Sequence, residues 1–280
     1  MSSIPIGIYE KALPSKLGWK QRLELAATLG FDFVEISIDE SDERLSRLEW
    51  DTAQKRDLRE ATISTRVPIL DMCLSAHRKY ALGSADPATR ARAMDIFHKA
   101  INFAEETGIR IIQLAGYYVY YEPEDSQTID RYKQGLEEGL SHAEKTGVML
   151  ALENVDGLHI NSITRAKTLV DEFDSPWFQI YPDIGNLTEQ GLDVDSELEI
   201  GWGHIVAVHV KDVIKGQVRR IKFGDGIVDF MAAFQKLKSK NFGGPILIEM
   251  WNDDSPQAET ILKESLRFVR EKMRLGGLLD

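Results

Sequence analysis

The sequence predicts an α/β protein, a closed parallel (β/α)8 barrel, because short apolar segments alternate with amphipathic helical segments from end to end. The chain has 280 residues, and no stretch rich in proline, glycine or serine divides it. We therefore expect a single domain over residues 1–280. The alternative is an open doubly wound sheet, which would carry a glycine-rich phosphate turn after its first strand. Residues 7–11 contain no such turn.

Eight of the apolar segments are predicted to be strands, because they are short and rich in isoleucine, leucine, valine or aromatic residues. Apolar character on both faces is typical of a parallel sheet that helices cover. In chain order the predicted strands are residues 4–9, 31–37, 68–76, 111–115, 148–154, 178–183, 205–209 and 245–249.

The segments between them follow helical periodicity. The clearest pattern has one apolar face formed by Ala93, Ile96, Phe97, Ala100, Ile101 and Ala104. A glycine at position 30, 108 or 147 ends three of the helices, as expected for a residue in the left-handed conformation. The predicted helices are residues 16–29, 50–64, 86–107, 125–146, 161–171, 193–200, 229–239 and 256–275.

Charge and cysteine content exclude several classes of partner. The formal net charge is −11 and the isoelectric point is about 5.1, which disfavours nucleic acid and anionic membranes. The single cysteine, Cys73, cannot form an intrachain disulfide, as is usual in a reducing compartment. Neither a signal peptide nor a long apolar span is evident, so we expect a cytoplasmic protein.

Four consecutive predicted strands end in a residue that can bind a metal: Glu153, Asp183, His209 and Glu249. In a barrel, the C-terminal ends of the strands meet at one mouth, where active sites lie. Three carboxylates and one imidazole suit Mn²⁺, Mg²⁺, Co²⁺ or Zn²⁺ better than a soft metal. Burying those carboxylates without a cation is costly, so the sequence predicts a divalent metal site.

Such a site favours proton transfer next to a carbonyl group. A divalent ion that bridges a ketone oxygen and the adjacent hydroxyl oxygen acidifies the C–H bond and stabilises an enediolate. One glutamate of the set removes the proton and the other returns one to the opposite face, which inverts the carbon. Hydrolysis is an alternative, but it requires a water held by the metal.

Five further residues are candidates for substrate binding. His77 and Arg78 follow the third strand, where they hold a hydroxyl or phosphate group or form a plain surface pair. Lys222 precedes a glycine-rich loop in a region where barrels often bind phosphate, although a simple turn explains the glycines equally well. Glu35 ends the second strand, and Asn186 contacts substrate or caps a helix. Arg219 and Arg220 are interpreted as solvated charges.

Motifs in both halves of the chain resemble the L-ribulose-5-phosphate 3-epimerases, also called L-xylulose-5-phosphate 3-epimerases, of the xylose isomerase-like TIM-barrel superfamily. The metal-ligand pattern is common to the superfamily, whereas the N-terminal motifs are more specific. The motifs in the second half of the chain are residues 152–154, 181–186, 207–212, 223–226 and 247–251. In the first half they are residues 6–14, 30–35, 42–48 and 73–78.

The resemblance implies an isomerase that interconverts L-xylulose 5-phosphate and L-ribulose 5-phosphate at C3, in L-ascorbate and pentose breakdown. It implies a divalent metal on Glu153, Asp183, His209 and Glu249, with Glu153 and Glu249 as the acid–base pair. It also implies a homo-oligomer, a dimer or larger. This chain has Lys222 and Asp225 where the family usually has proline and glutamate.

Three other functions fit the same barrel. An epimerase of an unphosphorylated ketose would lack an anion site near His77, Arg78 and Lys222. A metal-dependent endonuclease would need more than the six histidines of this chain and a basic groove for DNA. A non-catalytic sugar-binding barrel would have little need for four metal ligands.

Overall fold

The computed structural model describes residues 4–252 and 254–279, in which eight parallel strands form one sheet. The strands are β1 Ile6–Tyr9, β2 Phe33–Ile38, β3 Ile69–Leu74, β4 Ile111–Ala115, β5 Met149–Glu153, β6 Phe178–Ile180, β7 Val208–Val210 and β10 Ile246–Ile248. Their order in the sheet is β6-β5-β4-β3-β2-β1-β10-β7. Every strand of the predicted set is therefore present, with boundaries shifted by a few residues.

The sheet closes on itself between β6 and β7. Parallel bridges join Ile180 to Ile205 and Asp183 to His209. Backbone hydrogen bonds complete the join: the His209 amide donates to the Pro182 carbonyl at 2.8 Å, and the Val206 amide donates to the Ile180 carbonyl at 3.0 Å. The predicted (β/α)8 barrel is confirmed, and the open doubly wound sheet was the wrong alternative.

Helices surround the barrel. All eight predicted helices are found, and side-chain caps at Asp51, Asp86, Ser162, Asp193 and Asp229 set five of their first residues. No helix in the described part of the chain is long and apolar enough to cross a membrane. The α-helices in the described residues are α1 Trp19–Leu29, α2 Asp42–Leu45, α3 Thr52–Thr65, α4 Pro87–Thr107, α5 Thr128–Thr146, α6 Ile163–Phe173, α7 Ile184–Glu189, α8 Val194–Ile200, α9 Phe230–Ser239 and α10 Ala258–Leu275.

Short elements that the sequence did not predict lie at the C-terminal mouth. An antiparallel hairpin, β8 Asp212–Ile214 and β9 Gln217–Ile221, follows β7 directly. The helices α2 and α7 are also additional, and three 3₁₀ turns span Glu10–Ala12, Ser46–Glu49 and Ser75–Arg78. The mouth therefore carries more ordered structure than simple strand-to-helix alternation predicts.

The barrel interior is packed with side chains rather than open. A buried apolar group fills it, and the larger apolar core lies between the sheet and the helices. Gly7 of β1 pairs with Phe33 of β2, and a Cβ atom at Gly7 would overlap the Phe33 ring. The interior group comprises Tyr9, Phe33, Cys73, Ile111, Ala151, Tyr181, Ala207 and Leu247.

Gly7→Ala is expected to destabilise the protein by about 1–3 kcal/mol, because the added methyl group overpacks the barrel interior against Phe33. Gly243→Ala is the matched control, since nothing lies within 4 Å of a Cβ atom built there. Chemical denaturation should show a lower free energy of unfolding for Gly7→Ala and a nearly unchanged value for Gly243→Ala. Equal stability of the two variants would contradict the packing.

Candidate active site

The four residues proposed as metal ligands come together at the C-terminal mouth. Glu153, Asp183, His209 and Glu249 each contribute one ligand atom, and these atoms all lie within 4.8 Å of one another. The carboxylates and the imidazole are buried or nearly so. The parallel register causes this convergence. Three of the residues lie at or just beyond the C-terminal end of a strand, and His209 lies within the short strand β7.

Asp183 is fixed by a ring of hydrogen bonds to two asparagines. Its amide donates to Asn154 Oδ1 at 2.9 Å, and Asn154 Nδ2 donates back to the Asp183 carbonyl at 3.0 Å. Asn186 Nδ2 donates to the Asn154 carbonyl at 2.8 Å. The Asp183 carboxylate also caps α7 by accepting from the Asn186 amide. The carboxylate is therefore held rigidly at the mouth.

His209 lies between two carboxylates. Its Nδ1 is 3.0 Å from Glu153 Oε1, and its Nε2 is 3.1 Å from Glu35 Oε1. Burial lowers the pKa of His209, but Glu35 and Glu153 more than offset that effect and raise this pKa well above its usual value. Gln113 Nε2 donates to the other oxygen of Glu153 and so fixes that carboxylate as well.

Lys211 places an ammonium group among the same carboxylates. Its Nζ is 2.9 Å from Asp183 Oδ2 and 2.8 Å from Glu249 Oε2. Burial alone lowers the pKa of Lys211, but Asp183 and Glu249 more than offset burial and raise it. Burial alone likewise raises the pKa of Glu249, and Lys211 reverses the effect so that this pKa falls.

The charge balance of the cluster fits a divalent cation. Glu35, Glu153, Asp183 and Glu249 face one ammonium and one imidazole, and burial raises the pKa values of Asp183 and Glu35. Buried carboxylates in excess of their cations are costly, and a hard or borderline divalent ion relieves that cost. The structure therefore has a candidate metal-binding site of glutamate, aspartate and histidine residues.

A cavity of about 170 Å³ opens onto the carboxylates. Its lining includes Glu153 and Glu249 and three cationic side chains outside the cluster, those of Lys11, Arg78 and Arg219. The cavity thus has an acidic floor and a largely basic wall, which also includes the Asp156 carboxylate. That arrangement suits a small molecule with polar groups at one end and an anion at the other.

Two of the five residues proposed to bind substrate line this cavity, namely Arg78 and Asn186. Three do not. Glu35 lies within β2 and not at its end, and its side chain reaches His209 inside the barrel. His77 turns towards α4, where Nε2 is 3.3 Å from the Ala93 carbonyl oxygen. Lys222 pairs with Glu264 at 3.0 Å, and 55% of its side chain is exposed.

Arg219, which the sequence analysis interprets as a solvated charge, is part-exposed and also lines the cavity. Its guanidinium lies 5.9 Å from the centre of the Trp251 ring, and its Nη2 is 4.0 Å from Asp156 Oδ2. Tyr117 donates a hydrogen bond to the same Asp156 carboxylate. The signal available in the sequence was the strand-like segment 217–221 followed closely by glycines, which marks a hairpin bordering the mouth.

The fold and the cluster define the class of protein. The family model described as xylose isomerase-like TIM barrel matches residues 23–272, and the chain belongs to that family. One relative, the L-ribulose-5-phosphate 3-epimerase UlaE of Escherichia coli O157:H7, is 48% identical over 277 residues. The match covers 99% of this chain and 98% of the relative. Within the superfamily, the chain is therefore a member of the L-ribulose-5-phosphate 3-epimerase family, as the motifs indicated.

Solved structures of sugar epimerases share the fold at lower sequence identity. A structure of L-ribulose 3-epimerase has a TM-score of 0.80 and 18% identity, covering 98% of this chain and 96% of that chain. D-allulose 3-epimerase from Methylomonas sp. in complex with D-allulose has a TM-score of 0.79 and 17% identity, covering 96% and 97%. At these identities the similarity establishes the architecture.

His77 is expected to make the protein less stable in acid. Burial lowers the pKa of His77 to about 4, from an ordinary value of 6.5. The unfolded chain therefore binds a proton in this range that the folded chain does not, and stability falls as the pH drops from about 6.5 to 4. The full contribution is about 3 kcal/mol.

His77→Gln removes that titration while it keeps an N–H donor for the Ala93 carbonyl. Unfolding free energies should be measured for both proteins from pH 7 to pH 4.5, so that titrations common to both cancel. As the pH falls, the unfolding free energy of the unmodified protein should decrease more than that of His77→Gln. A difference that stays constant with pH would contradict a neutral, buried His77.

Proposed function

We propose that this protein is a metal-dependent 3-epimerase that interconverts L-xylulose 5-phosphate and L-ribulose 5-phosphate. The observation that carries the proposal is the metal-ligand cluster at the mouth of a chain that is 48% identical to L-ribulose-5-phosphate 3-epimerase UlaE. The whole chain, residues 1–280, then serves as one catalytic domain. We further propose a role in L-ascorbate and pentose breakdown, a cytoplasmic location and a homo-oligomer.

In the proposed mechanism, Glu153 and Glu249 exchange a proton with C3 of the substrate. Both carboxylates line the cavity, and both belong to the cluster whose ligand atoms lie within 4.8 Å of one another. One of them removes the C3 proton from one epimer, and the other delivers a proton to the opposite face. A bound divalent ion, Mn²⁺, Zn²⁺, Co²⁺ or Mg²⁺, supplies Lewis-acid polarisation of the ketone.

The ligands for that ion are proposed to be Glu153, Asp183, His209 and Glu249. Lys211 stays paired with Asp183 and Glu249, and its ammonium favours the ionised form of both carboxylates and orients them. The Asn154 side chain bonds to the Asp183 backbone, and the Asn186 side chain in turn bonds to the Asn154 carbonyl. The chain's own residues thus fix the ligand geometry before the substrate enters.

The basic wall of the cavity supports a phosphorylated substrate. Lys11, Arg78 and Arg219 line the same cavity as the two glutamates, in a protein whose net charge is −11. A local group of cations on an acidic protein is well suited to a phosphate group. His77 and Lys222 lie outside this wall, so the proposed phosphate contacts are Arg78 together with Lys11 and Arg219.

The proposal is tested by the substrates that the metal-loaded protein converts. L-Xylulose 5-phosphate, L-ribulose 5-phosphate, free L-xylulose and free L-ribulose are incubated separately, and the epimers are separated by chromatography. We expect rapid conversion of the two phosphate esters, slow conversion of the free sugars and no conversion after chelation. Preference for the free sugars would favour the epimerase of an unphosphorylated ketose, and conversion of no ketose would refute both.

Glu153→Gln and Glu249→Gln are each expected to lower kcat by about 10²–10⁴-fold, because each removes one partner of the proton exchange. Because the two residues are also metal ligands, the bound metal is quantified in the same samples. Each variant should still exchange the C3 proton of one epimer at most, and the epimer should differ between the two variants. Near-normal turnover in a metal-loaded variant would contradict the acid–base assignment.

Arg219→Gln is expected to raise KM for the phosphorylated ketose by about 10-fold or more, because one charged hydrogen bond to the anion is lost. Arg56→Gln is the control, since this arginine is exposed on α3 and lines neither this cavity nor the adjoining one. Steady-state kinetics on L-xylulose 5-phosphate distinguish the two variants. Equal KM values would exclude Arg219 from the substrate site.

A further inference from the structure

We propose that Glu35 is the positioning residue for His209, because it holds the proton of the imidazole on Nε2 and thereby directs the Nδ1 lone pair at the metal. The inference rests on the proposed metal site. Glu35 then acts on His209, a proposed metal ligand behind the substrate cavity. The sequence had predicted that Glu35 contacts the substrate.

The two residues meet inside the barrel. Glu35 lies on β2 and His209 on β7, and β1 and β10 separate these strands in the sheet. Glu35 Oε1 is 3.1 Å from His209 Nε2, and the two side chains are 0% and 1% exposed. The contact thus spans the barrel interior beneath the cluster and is shielded from water, where a hydrogen bond to a charged group is strong.

The positions of the two ring nitrogens determine their roles. Nδ1 lies 3.0 Å from Oε1 of Glu153, which belongs to the metal-ligand cluster, whereas Nε2 faces Glu35, which does not. An imidazole that coordinates a metal must offer the lone pair of one nitrogen, and its other N–H needs an acceptor. Nδ1 is therefore the ligand atom, and Glu35 is the acceptor for Nε2–H.

Tyr181 packs edge-on against the same ring. Its ring centre is 4.5 Å from that of His209 in an edge-on arrangement, and its hydroxyl donates to Asp71 Oδ2 at 2.7 Å. Asp71 is the register partner of Glu35 on the adjacent strand and is equally buried. Among the described residues Asp71 has no hydrogen bond to His209. Asp71 is therefore a natural control for the burial of a carboxylate at this depth.

A merely structural role for Glu35 makes a different prediction from a positioning role. One oxygen of Glu35 and one of Asp71 are buried without a hydrogen-bond partner in the described part of the chain. If burial were all that mattered, substitution of either residue would alter stability and leave metal affinity alone. If Glu35 orients the ligand, only its substitution alters metal affinity.

The experiment compares Glu35→Gln, Glu35→Leu and Asp71→Asn with the unmodified chain. Mn²⁺ affinity is measured by competition with a chelating dye, the absorption spectrum of the Co²⁺-loaded protein reports ligand geometry, and thermal unfolding is followed without metal. We expect Glu35→Leu to weaken Mn²⁺ binding by about 10–100-fold and to change the Co²⁺ spectrum. Glu35→Gln keeps an oxygen acceptor and should recover part of the affinity.

Asp71→Asn keeps an oxygen that accepts from the Tyr181 hydroxyl, so it should leave both the Mn²⁺ affinity and the Co²⁺ spectrum near those of the unmodified chain, whatever its thermal stability. Unchanged metal affinity in Glu35→Leu and Glu35→Gln, or an equal loss in Asp71→Asn, would overturn the positioning role alone. If Glu35→Leu fails to fold, Glu35→Gln against Asp71→Asn decides the question. Failure of the unmodified chain to bind Mn²⁺ saturably would overturn the proposed metal site and this inference together.

Discussion

The arrangement of the mouth depends on one electrostatic constraint, the burial of several carboxylates around a single histidine. Glu35, Glu153, Asp183 and Glu249 are drawn together by the parallel register of the barrel, and all are buried or nearly so. Buried carboxylates are tolerated only with cations, protons or dense hydrogen bonding. The partners of these four groups are therefore as informative about function as the groups themselves.

The protein meets that constraint with two internal positive groups and a set of amide donors. Lys211 holds Asp183 and Glu249, His209 lies between Glu35 and Glu153, and Gln113 donates to Glu153. The ammonium and imidazole leave an excess of negative charge, which a divalent ion reduces. The same arrangement leaves Glu153 and Glu249 facing the cavity, as proton transfer at a sugar carbon requires.

Much of the fold and part of the site could be predicted from sequence, because local periodicity determines them. Apolar runs gave the eight strands, and helical spacing gave the helices between them. In a barrel, the residues that end consecutive strands lie at the same mouth. Glu153, Asp183, His209 and Glu249 were therefore predicted to be metal ligands. Boundaries shifted where capping side chains such as Asp51 and Asp86 determine the first helical residue.

What could not be predicted depends on contacts between distant segments. Glu35 is an interior residue by its place in β2, but strand periodicity does not reveal that His209 faces it across the barrel. His77 turns away from the mouth because the chain after β3 forms a 3₁₀ turn that packs its ring 5.2 Å from Phe97. Arg219 reaches the cavity only because the β8–β9 hairpin folds back over it.

The central claim is that the buried cluster, loaded with a divalent metal, exchanges the C3 proton of a ketopentose phosphate. Proton NMR of L-xylulose 5-phosphate in D₂O tests it most directly. The reaction is run with Mn²⁺- or Zn²⁺-loaded protein. The spectra are recorded on the diamagnetic Zn²⁺ sample, or after the metal has been chelated. The account predicts loss of the C3 proton signal together with growth of L-ribulose 5-phosphate, and neither change after chelation. Epimerisation that persists unchanged without metal, or epimer formation with no deuterium at C3, would contradict it.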